Sequence, residues 1–530
     1  MNLLRALSPA WWPRVLALLA GIGLGLAHPP FGLIVGVGLY GLMMILAETG
    51  GTQARRSAFF RGWLVGVGYF AVGTHWISEP FLVDAANQGW MAPFALVAMS
   101  GGLALFWGLA ALLYQISSAR GPWRVLVFAG ALALCEWLRG HVLTGFPWNL
   151  PGETWRAGSA PSQMAAYVGA YGLSWLTIAL GATTALFWRT DRRTQQAGAA
   201  VLLLGLATLY GLGTLRLAGA QAAADAPLVR LVQGDIDQKE KWRPENLDMV
   251  FSTYVRLTTQ PGAVLPDIVV WPEGALPAVI DDLLAPGSPY ADRLTAALAP
   301  GQTLMMGANR VGPAPDGSID YFNSLVALRR EPRELRVTGV YDKHHLVPFG
   351  EYLPLGSLAT RFGIRSLVHM PEDFTPGPPP APLHPTGVPS VQPLICYEAL
   401  FPGLASEAVH RGGARAAWLL NVSNDAWFGG KSGPWQHLNI ASYRAIEEGL
   451  PLARATPTGV TTMIDAYGRS VGGRQLTLGD EGVLDVRLPS ALAPTPYSRF
   501  GDAGLAILLL LSGAVLGLMR RTPPAGAVQP

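Results

Sequence analysis

The chain has 530 residues, of which half are hydrophobic and only 14% are charged. Ordinary soluble domains contain about 25% charged residues, so this deficit excludes a wholly soluble protein and indicates a large membrane-embedded part. The formal net charge of +3 is small for this length and gives no support for nucleic acid as a partner.

The first part of the chain consists of apolar segments, most of them about 17 to 25 residues long and therefore able to cross a bilayer as helices. We predict about seven spans, at 11–27, 31–47, 58–77, 91–115, 123–138, 163–188 and 197–217. Further spans follow the first one at once, so we expect an uncleaved first helix rather than a signal peptide. Another apolar segment at 503–519 brings the total to about eight transmembrane helices.

The arginines predict the orientation of these spans. If the N-terminus is cytoplasmic, the inside loops hold most of the arginines, namely Arg5, Arg14, Arg55, Arg56, Arg61, Arg120, Arg124, Arg189, Arg192 and Arg193. The outside connections hold only Arg139 and Arg156, with Arg216 at the last boundary. The positive-inside rule therefore places the region after residue 217 outside and the tail at 520–530 inside.

After an alanine-rich linker at 218–226, short β-branched runs alternate with helical patterns. Strands are predicted at 228–233, 268–271, 303–307, 321–328, 391–395, 416–421 and 460–464. Helices are predicted at 246–259, 289–298, 400–411 and 436–448. This pattern is typical of a layered α/β domain, here 226–490, that is large enough to bury its own core.

Three of the strand patterns end in residues with complementary chemistry. The strand at 391–395 leads directly into Cys396. Pro272 must end an earlier strand, and Glu273 follows it, while a third strand pattern ends at Lys343. A carboxylate can take the proton of a thiol, and an ammonium stabilises the thiolate and the oxyanion of a tetrahedral intermediate. The three residues together predict nucleophilic acyl transfer.

Each of these residues also fits a structural role. A cysteine behind apolar residues is typical of a small buried core residue, Glu273 fits a cap of the following turn, and Lys343 fits a solvated surface position. Cys135 lies within a predicted span, so Cys396 should have no disulfide partner. A free thiol in a domain outside the membrane favours the catalytic interpretation.

The adjacent His344 and His345 do not predict a metal site. Neighbouring residues of a strand point to opposite faces, so the two rings cannot easily chelate one ion. The chain also has no phosphate-binding glycine loop, and we expect neither a metal nor a cofactor.

Several motifs resemble one known family. They are Trp-Pro-Glu at 271–273, the segment at 343–351 that begins with Lys and ends with Glu, and Ile-Cys-Tyr-Glu at 395–398. These motifs, supported by the segments at 231–242 and 421–437, resemble the nitrilase (carbon-nitrogen hydrolase) superfamily. Within that superfamily the whole chain is similar to its membrane-embedded branch, the apolipoprotein N-acyltransferases.

The resemblance implies an αββα sandwich and a role for each matching residue. It makes Cys396 the nucleophile, Glu273 the general base and Lys343 the oxyanion stabiliser. Glu351 matches a second carboxylate that orients the lysine, although a loop carboxylate in water is the alternative. The positions that contact substrate or shape the site are Trp242, Tyr397 and Glu398. Trp242 also fits a core aromatic.

The resemblance further implies a two-step reaction in the bacterial inner (cytoplasmic) membrane, with the catalytic domain on the periplasmic side. Cys396 takes an acyl chain from a phospholipid, expected to be the sn-1 chain of phosphatidylethanolamine. The resulting thioester then acylates the α-amine of the diacylglyceryl-cysteine at a lipoprotein N-terminus, with ping-pong kinetics. We expect the enzyme to act as a monomer.

Three further segments predict contact with lipid. The aromatic and leucine residues of 346–370 favour an arm that dips into the bilayer. Trp427 forms an aromatic pair with Phe428 beside two glycines, which fits either a mobile lid or a buried plug. Trp148 fits either the lining of a lipid entrance or an anchor for a helix end.

Two alternatives remain open from the sequence. A membrane-tethered amidase or hydrolase would use the same residues but pass the acyl group to water. A transporter or scaffold with an inactive outer domain would need functional ionisable residues inside the spans, where the sequence offers scattered cases such as His75 and Glu136.

Overall fold

The computed structural model describes residues 11–188, 191–219, 226–315, 317–354 and 373–521. The chain divides into two compact units. The first, here called the helical unit, contains Met1–Gly219 and Thr495–Pro530. The second, here called the α/β unit, contains Ala220–Pro494.

The longer helices of the helical unit are apolar. They are α1 (Trp12–Gly25), α2 (Leu39–Glu48), α3 (Ala54–Gly73), α4 (Ala92–Ser117), α5 (Arg124–His141), α6 (Ala165–Ala182), α7 (Arg192–Leu217) and, after the α/β unit, Ala503–Arg521. Shorter helical turns lie between them, including Glu79–Val83, Ala85–Gln88 and Pro496–Phe500.

In the part of the chain that the structure describes, fewer helices meet the length and hydropathy of a membrane span than the eight predicted. Five do so, and the number becomes six if the bent pair Ile34–Glu48 and Gly51–Gly73 forms one span. These two segments meet at an angle of 102°, and Trp12–Gly25 has only 14 residues. A helix of that length spans about 21 Å, whereas the hydrocarbon core is about 30 Å thick.

Glycines allow α1 and α3 to pack backbone against backbone. A Cβ atom on Gly21 would lie 2.0 Å from the Val65 carbonyl oxygen, and one on Gly68 would lie 2.3 Å from the Leu18 carbonyl oxygen. Any side chain at these positions would push the two helices apart. This close approach through small residues is typical of helix pairs in membranes.

Glu136 belongs to a buried ion pair on α5. Its carboxylate accepts a hydrogen bond from Arg139 at 2.5 Å and another from the Trp107 indole at 2.7 Å. Both charged side chains are fully buried, and the pairing removes the large cost of an isolated charge in an apolar environment. These contacts give Glu136 a structural explanation that requires no transported ion.

The α/β unit contains two β-sheets. Its strands are β1 (Leu228–Gln233), β2 (Ile268–Trp271), β3 (Thr303–Pro313), β4 (Ile319–Arg330), β5 (Leu335–Asp342), β6 (Val391–Ile395), β7 (Trp418–Val422), β8 (Leu452–Ala455), β9 (Thr461–Ile464), β10 (Ser470–Leu476) and β11 (Gly482–Arg487). One sheet has the order β11-β1-β2-β3-β4-β5, and the other has the order β10-β9-β8-β7-β6. Strands β1, β2 and β3 are parallel to one another, as are β6, β7 and β8.

The two sheets pack face to face through an apolar core. Val229 and Val270 from the first sheet share this core with Ile395 and Leu420 from the second. The other face of the first sheet packs against the helix Leu247–Thr258, and the remaining longer helices of the unit are Pro289–Ala297 and Gly433–Glu448. The shorter helical turns here are Gln238–Lys241, Ile280–Leu283 and Glu407–His410.

One predicted helix is wrong. The segment 400–411 is not continuous: a 3₁₀ turn covers Leu404–Ser406, and only Glu407–His410 is α-helical. Gly403, which follows a proline, has a φ of +84° and therefore breaks the pattern. The predictions also missed β8, β10 and β11.

Candidate active site

Cys396 directly follows β6 and begins a 3₁₀ turn, with a φ of +47° that is unusual for a residue with a side chain. Its side chain is 8% exposed and borders the apolar core between the sheets. Burial raises the pKa of the Cys396 thiol; the Glu273 carboxylate also raises it, whereas the Lys343 ammonium lowers it. The resting group is therefore a thiol, and a base is needed to make it a nucleophile.

Lys343 directly follows β5 and lies between two carboxylates. Its Nζ donates to Glu351 Oε1 at 2.9 Å and lies 3.4 Å from Glu273 Oε1. The lysine is 1% exposed, and Glu273 and Glu351 are also buried. Burial alone would lower the pKa of Lys343, but the carboxylates of Glu351 and Glu273 outweigh it and hold the pKa above its ordinary value. Lys343 is thus a fixed positive charge.

Asn323 on β4 joins the two carboxylates, and the sequence predictions missed it. Its Nδ2 donates to Glu273 Oε1 at 2.8 Å and to Glu351 Oε1 at 2.7 Å. Glu351 Oε2 accepts a further bond from the Val347 amide at 2.8 Å. One sequence feature marks this position: the asparagine lies between an aromatic residue and a Ser-Leu-Val run. Its amide holds the carboxylates in place without adding charge.

Glu273 follows β2 and is also held by the segment after β7. Its Oε2 accepts a hydrogen bond from the backbone amide of Asn424 at 2.7 Å. Both carboxylate oxygens therefore have donors, and the orientation of the group is fixed relative to Lys343. A general base must lie within hydrogen-bonding reach of the proton that it removes, and only then does its pKa affect the rate.

Glu398 is fully buried and connects the nucleophile turn to the segment after β5. Its Oε2 accepts from the Ile395 amide at 2.8 Å. Its Oε1 accepts from the Tyr341 hydroxyl and the His344 amide, both at 2.8 Å, and from the His345 amide at 3.2 Å. These contacts favour a positioning role for Glu398 over the direct substrate contact that the sequence predicted.

Asp425, His437 and Arg454 form a buried polar cluster behind the nucleophile, and the predictions gave none of them a role. His437 Nε2 lies 3.2 Å from the Cys396 carbonyl oxygen, which can only accept, so Nε2 carries the proton. Burial and the Arg454 cation lower the pKa of His437, which keeps the ring neutral. Burial would raise the pKa of Asp425, but Arg454 and His437 outweigh it and lower that pKa to about 2. Through His437, this cluster holds the backbone of Cys396, whose positive φ is strained.

The aromatic residues predicted to bind substrate differ in exposure. Trp242 and Trp427 are 47% and 42% exposed, whereas Tyr397 is buried with its ring 5.1 Å from that of Phe401. Trp427 lies in a 3₁₀ turn that Phe428 ends. The two exposed rings are accessible to an apolar ligand, and their role stays a prediction.

Trp148 lies in the helical unit and is 1% exposed. Its indole donates to the Gly73 carbonyl oxygen at 3.0 Å, and its ring lies 4.6 Å from that of Trp76. These contacts favour the anchoring interpretation over the lining of an entrance. Of the predicted lipid-facing arm, residues 355–370 lie outside the described residues, and Phe349 before them is 57% exposed.

His344 and His345 follow the end of β5 rather than continuing it. The Nδ1 of His344 donates to the Gly377 carbonyl oxygen at 2.8 Å, and the ring of His345 packs 4.5 Å from that of Phe401. Burial and the neighbouring His344 lower the pKa of His345 to about 4, so its ring is neutral near pH 7.

Comparisons with known proteins first define the class. Residues 228–497 match the carbon-nitrogen hydrolase family, and residues 20–183 match the apolipoprotein N-acyltransferase N-terminal domain. A solved structure of a Nesterenkonia AN1 amidase from the nitrilase superfamily is 19% identical, covering 54% of this chain and 98% of that chain, with a TM-score of 0.34. The family match over residues 228–497 makes the α/β unit a carbon-nitrogen hydrolase domain.

Two relatives narrow this class to a single family. The apolipoprotein N-acyltransferase of Caulobacter vibrioides is 52% identical, over 98% of this chain and 97% of the relative. The apolipoprotein N-acyltransferase of Rhodopseudomonas palustris is 36% identical, over 97% of each chain. The chain belongs to the apolipoprotein N-acyltransferase family, whose members are membrane acyltransferases.

Proposed function

We propose that this protein moves a fatty acyl chain from a phospholipid to a lipoprotein through a thioester on Cys396. The donor is the sn-1 chain of phosphatidylethanolamine, and the acceptor is the α-amine of an N-terminal diacylglyceryl-cysteine. The observation that carries the proposal is the buried Lys343 ammonium between Glu273 and Glu351. The charges of Lys343 and Glu273 also act, in opposite directions, on the pKa of the Cys396 thiol.

In the first half-reaction, Glu273 takes the proton of the Cys396 thiol, and the thiolate attacks the ester carbonyl of the donor. The Lys343 ammonium stabilises the tetrahedral oxyanion. The carbon–oxygen ester bond then breaks, and Glu273 returns the proton to the leaving alkoxide. The products are an acyl thioester on Cys396 and a lysophospholipid.

In the second half-reaction, the unprotonated amine of the acceptor attacks the thioester carbonyl. Glu273 takes a proton from the attacking nitrogen, the carbon–sulfur bond breaks, and the thiolate recovers that proton. The product is an amide, and the enzyme returns to its thiol form. Glu351 and Asn323 act through Lys343 and Glu273, whose positions they fix.

The arginine distribution supports the α/β unit on the periplasmic side of the proposed inner membrane. The apolar segments of the sequence are the basis for about eight proposed spans. The proposed domain limits are 1–217, 226–490, 503–519 and a cytoplasmic tail at 520–530. The exposed rings of Trp242 and Trp427 are the proposed contacts for the apolar substrates, and the monomer is the proposed active form.

The test is mass spectrometry of the purified full chain after incubation with phospholipid in detergent. We expect one added acyl group on the peptide that contains Cys396, and its discharge by a diacylglyceryl lipopeptide with a free α-amine. Cys396→Ala should take up no acyl group, whereas the matched variant Cys135→Ala should react like the wild type. Acylation that persists in Cys396→Ala would remove the thioester from the mechanism.

The same experiment distinguishes an acyltransferase from a hydrolase. An acyltransferase keeps its thioester until the amine is added and then yields the N-acylated lipopeptide. A hydrolase releases fatty acid continuously with phospholipid alone. Free fatty acid formed faster than lipopeptide product would support the hydrolase.

A further inference from the structure

A second buried ammonium lies beside Glu273. Lys241 ends the helical turn Gln238–Lys241 and is 1% exposed. A Cβ atom on Gly274 would lie 3.7 Å from its Nζ, and the Nζ is 5.4 Å from the centre of the Trp242 ring. Lys241 therefore lies near the proposed base, and the exposed ring of Trp242 is its neighbour.

Lys241 differs from Lys343 in having no acceptor. Among the residues that the structure describes, no atom accepts a hydrogen bond from Lys241 Nζ. One turn earlier on the same face, the Nε2 of Gln238 is also buried without an acceptor, while its Oε1 is 3.4 Å from Asn424 Nδ2. A buried ammonium without an acceptor is strongly unfavourable, so such a group is expected where a ligand supplies the missing oxygen.

We propose that Lys241, with Gln238, binds the phosphodiester oxygens of the acyl donor. This inference rests on the proposed function and adds to it the subsite that recognises the donor as a phospholipid. Lys343 cannot serve this purpose, because Glu351 and Glu273 already neutralise it. The charge of Lys241 also offsets the repulsion between an incoming phosphate and the Glu273 carboxylate.

The proposal requires one donor molecule to reach both Cys396 and Lys241. Six bonds separate the sn-1 carbonyl carbon from the phosphorus atom, a reach of roughly 7 Å when extended. Lys241 Nζ would lie 3.7 Å from a Cβ atom on Gly274, the residue after Glu273, and Lys343 Nζ lies 3.4 Å from Glu273 Oε1, so both ammonium groups lie near the proposed base. Burial lowers the pKa of Lys241 to about 8, against the opposing effect of Glu273, so most of the ammonium is charged at pH 7.

The experiment compares donors that have or lack the phosphate. The full-length wild type and Lys241→Met are incubated in mixed micelles with phosphatidylethanolamine, with a diacylglycerol of the same acyl chains, or with the p-nitrophenyl ester of the same fatty acid. Initial rates of acylation at Cys396 are measured by mass spectrometry. Lys239→Met, an exposed position in the same helical turn, is the matched control.

We expect Lys241→Met to lower kcat/KM for phosphatidylethanolamine about 10- to 100-fold, the range for one hydrogen bond to a charged group. Its rates with the two donors that lack phosphate should change less than about threefold. Lys241→Arg should recover part of the loss, since a guanidinium also binds phosphate. Lys239→Met should match the wild type with every donor.

Three results would overturn the inference. Equal losses with all three donors would mean that Lys241 acts on Glu273 or on folding. Losses with both glycerolipids but not with the p-nitrophenyl ester would make Lys241 a proton donor to the leaving alkoxide. No loss with phosphatidylethanolamine would remove the subsite altogether. A wild type that forms no acyl-enzyme with any donor would instead contradict the proposed function.

Discussion

Replacing Lys343 by methionine removes the ammonium that two buried carboxylates share. Lys343 Nζ is 2.9 Å from Glu351 Oε1 and 3.4 Å from Glu273 Oε1. At an effective dielectric constant of about 20, these Coulomb attractions are about 6 and 5 kcal/mol. The same carboxylate oxygens lie 2.7 and 2.8 Å from Asn323 Nδ2, so they are at most 5.5 Å apart and repel each other by about 3 kcal/mol or more.

The attractions exceed the repulsion, so the variant should lose stability as well as activity. Breaking a buried ion pair from one side costs about 3 to 5 kcal/mol, and we expect Lys343→Met to unfold at a clearly lower temperature. The decrease in unfolding temperature relative to the wild type should be larger at pH 8 than at pH 5. Without the ammonium, the folded variant binds a proton more readily than its unfolded chain does, so acid relieves the repulsion.

The assay is thermal unfolding of the full chain in detergent at both pH values, with Lys239→Met as the exposed control. Acylation of Cys396 should be absent from Lys343→Met at either pH. An unfolding temperature equal to that of the wild type, or a deficit that is the same at pH 5 and pH 8, would refute the reasoning about the two carboxylates.

Three further predictions concern neighbouring residues. Glu273→Gln should fold but acylate Cys396 about 10²- to 10⁴-fold more slowly, as measured by mass spectrometry, and near-normal rates would remove it as the base. Asn323→Leu should lower the unfolding free energy by about 1 to 3 kcal/mol, because two buried carboxylates lose a donor, and an unchanged unfolding temperature would contradict this. The lowered pKa of Asp425 stabilises the fold above pH 4, and this stabilisation is lost as the pH falls towards 2. The gap in unfolding temperature between wild type and Asp425→Asn should therefore narrow from pH 5 to pH 3, and a constant gap would exclude this titration.

Local patterns were sufficient to locate the main strands of the α/β unit. Strands β1, β2 and β6 have the predicted limits, because each contains valine or isoleucine in a short run that proline, glycine or polar residues flank. β8 has no β-branched residue and contains Arg454, and β10 contains two glycines, so neither resembles a buried strand in isolation. Their positions depend on partners that only the folded sheet supplies, such as Asp425 for the arginine.

The candidate site was predictable only in part for the same reason. Placing Glu273, Lys343 and Cys396 at strand ends needs only local sequence. The roles of Asn323 and Lys241 depend on residues that are remote in sequence, and no spacing rule relates these two positions to Glu273. In the helical unit, hydropathy located the apolar helices but could not show the 102° bend after Ile34–Glu48, which tertiary packing determines.

The four hydrogen bonds on Glu398 have a consequence for anyone who would redesign this enzyme. Replacing the segment after β5 removes donors to Glu398, and replacing the turn that contains Glu398 removes their acceptor, so the two segments cannot be exchanged independently. Donor preference is therefore better altered by substituting residues such as Lys241, which leaves the hydrogen bonds of Glu398 intact.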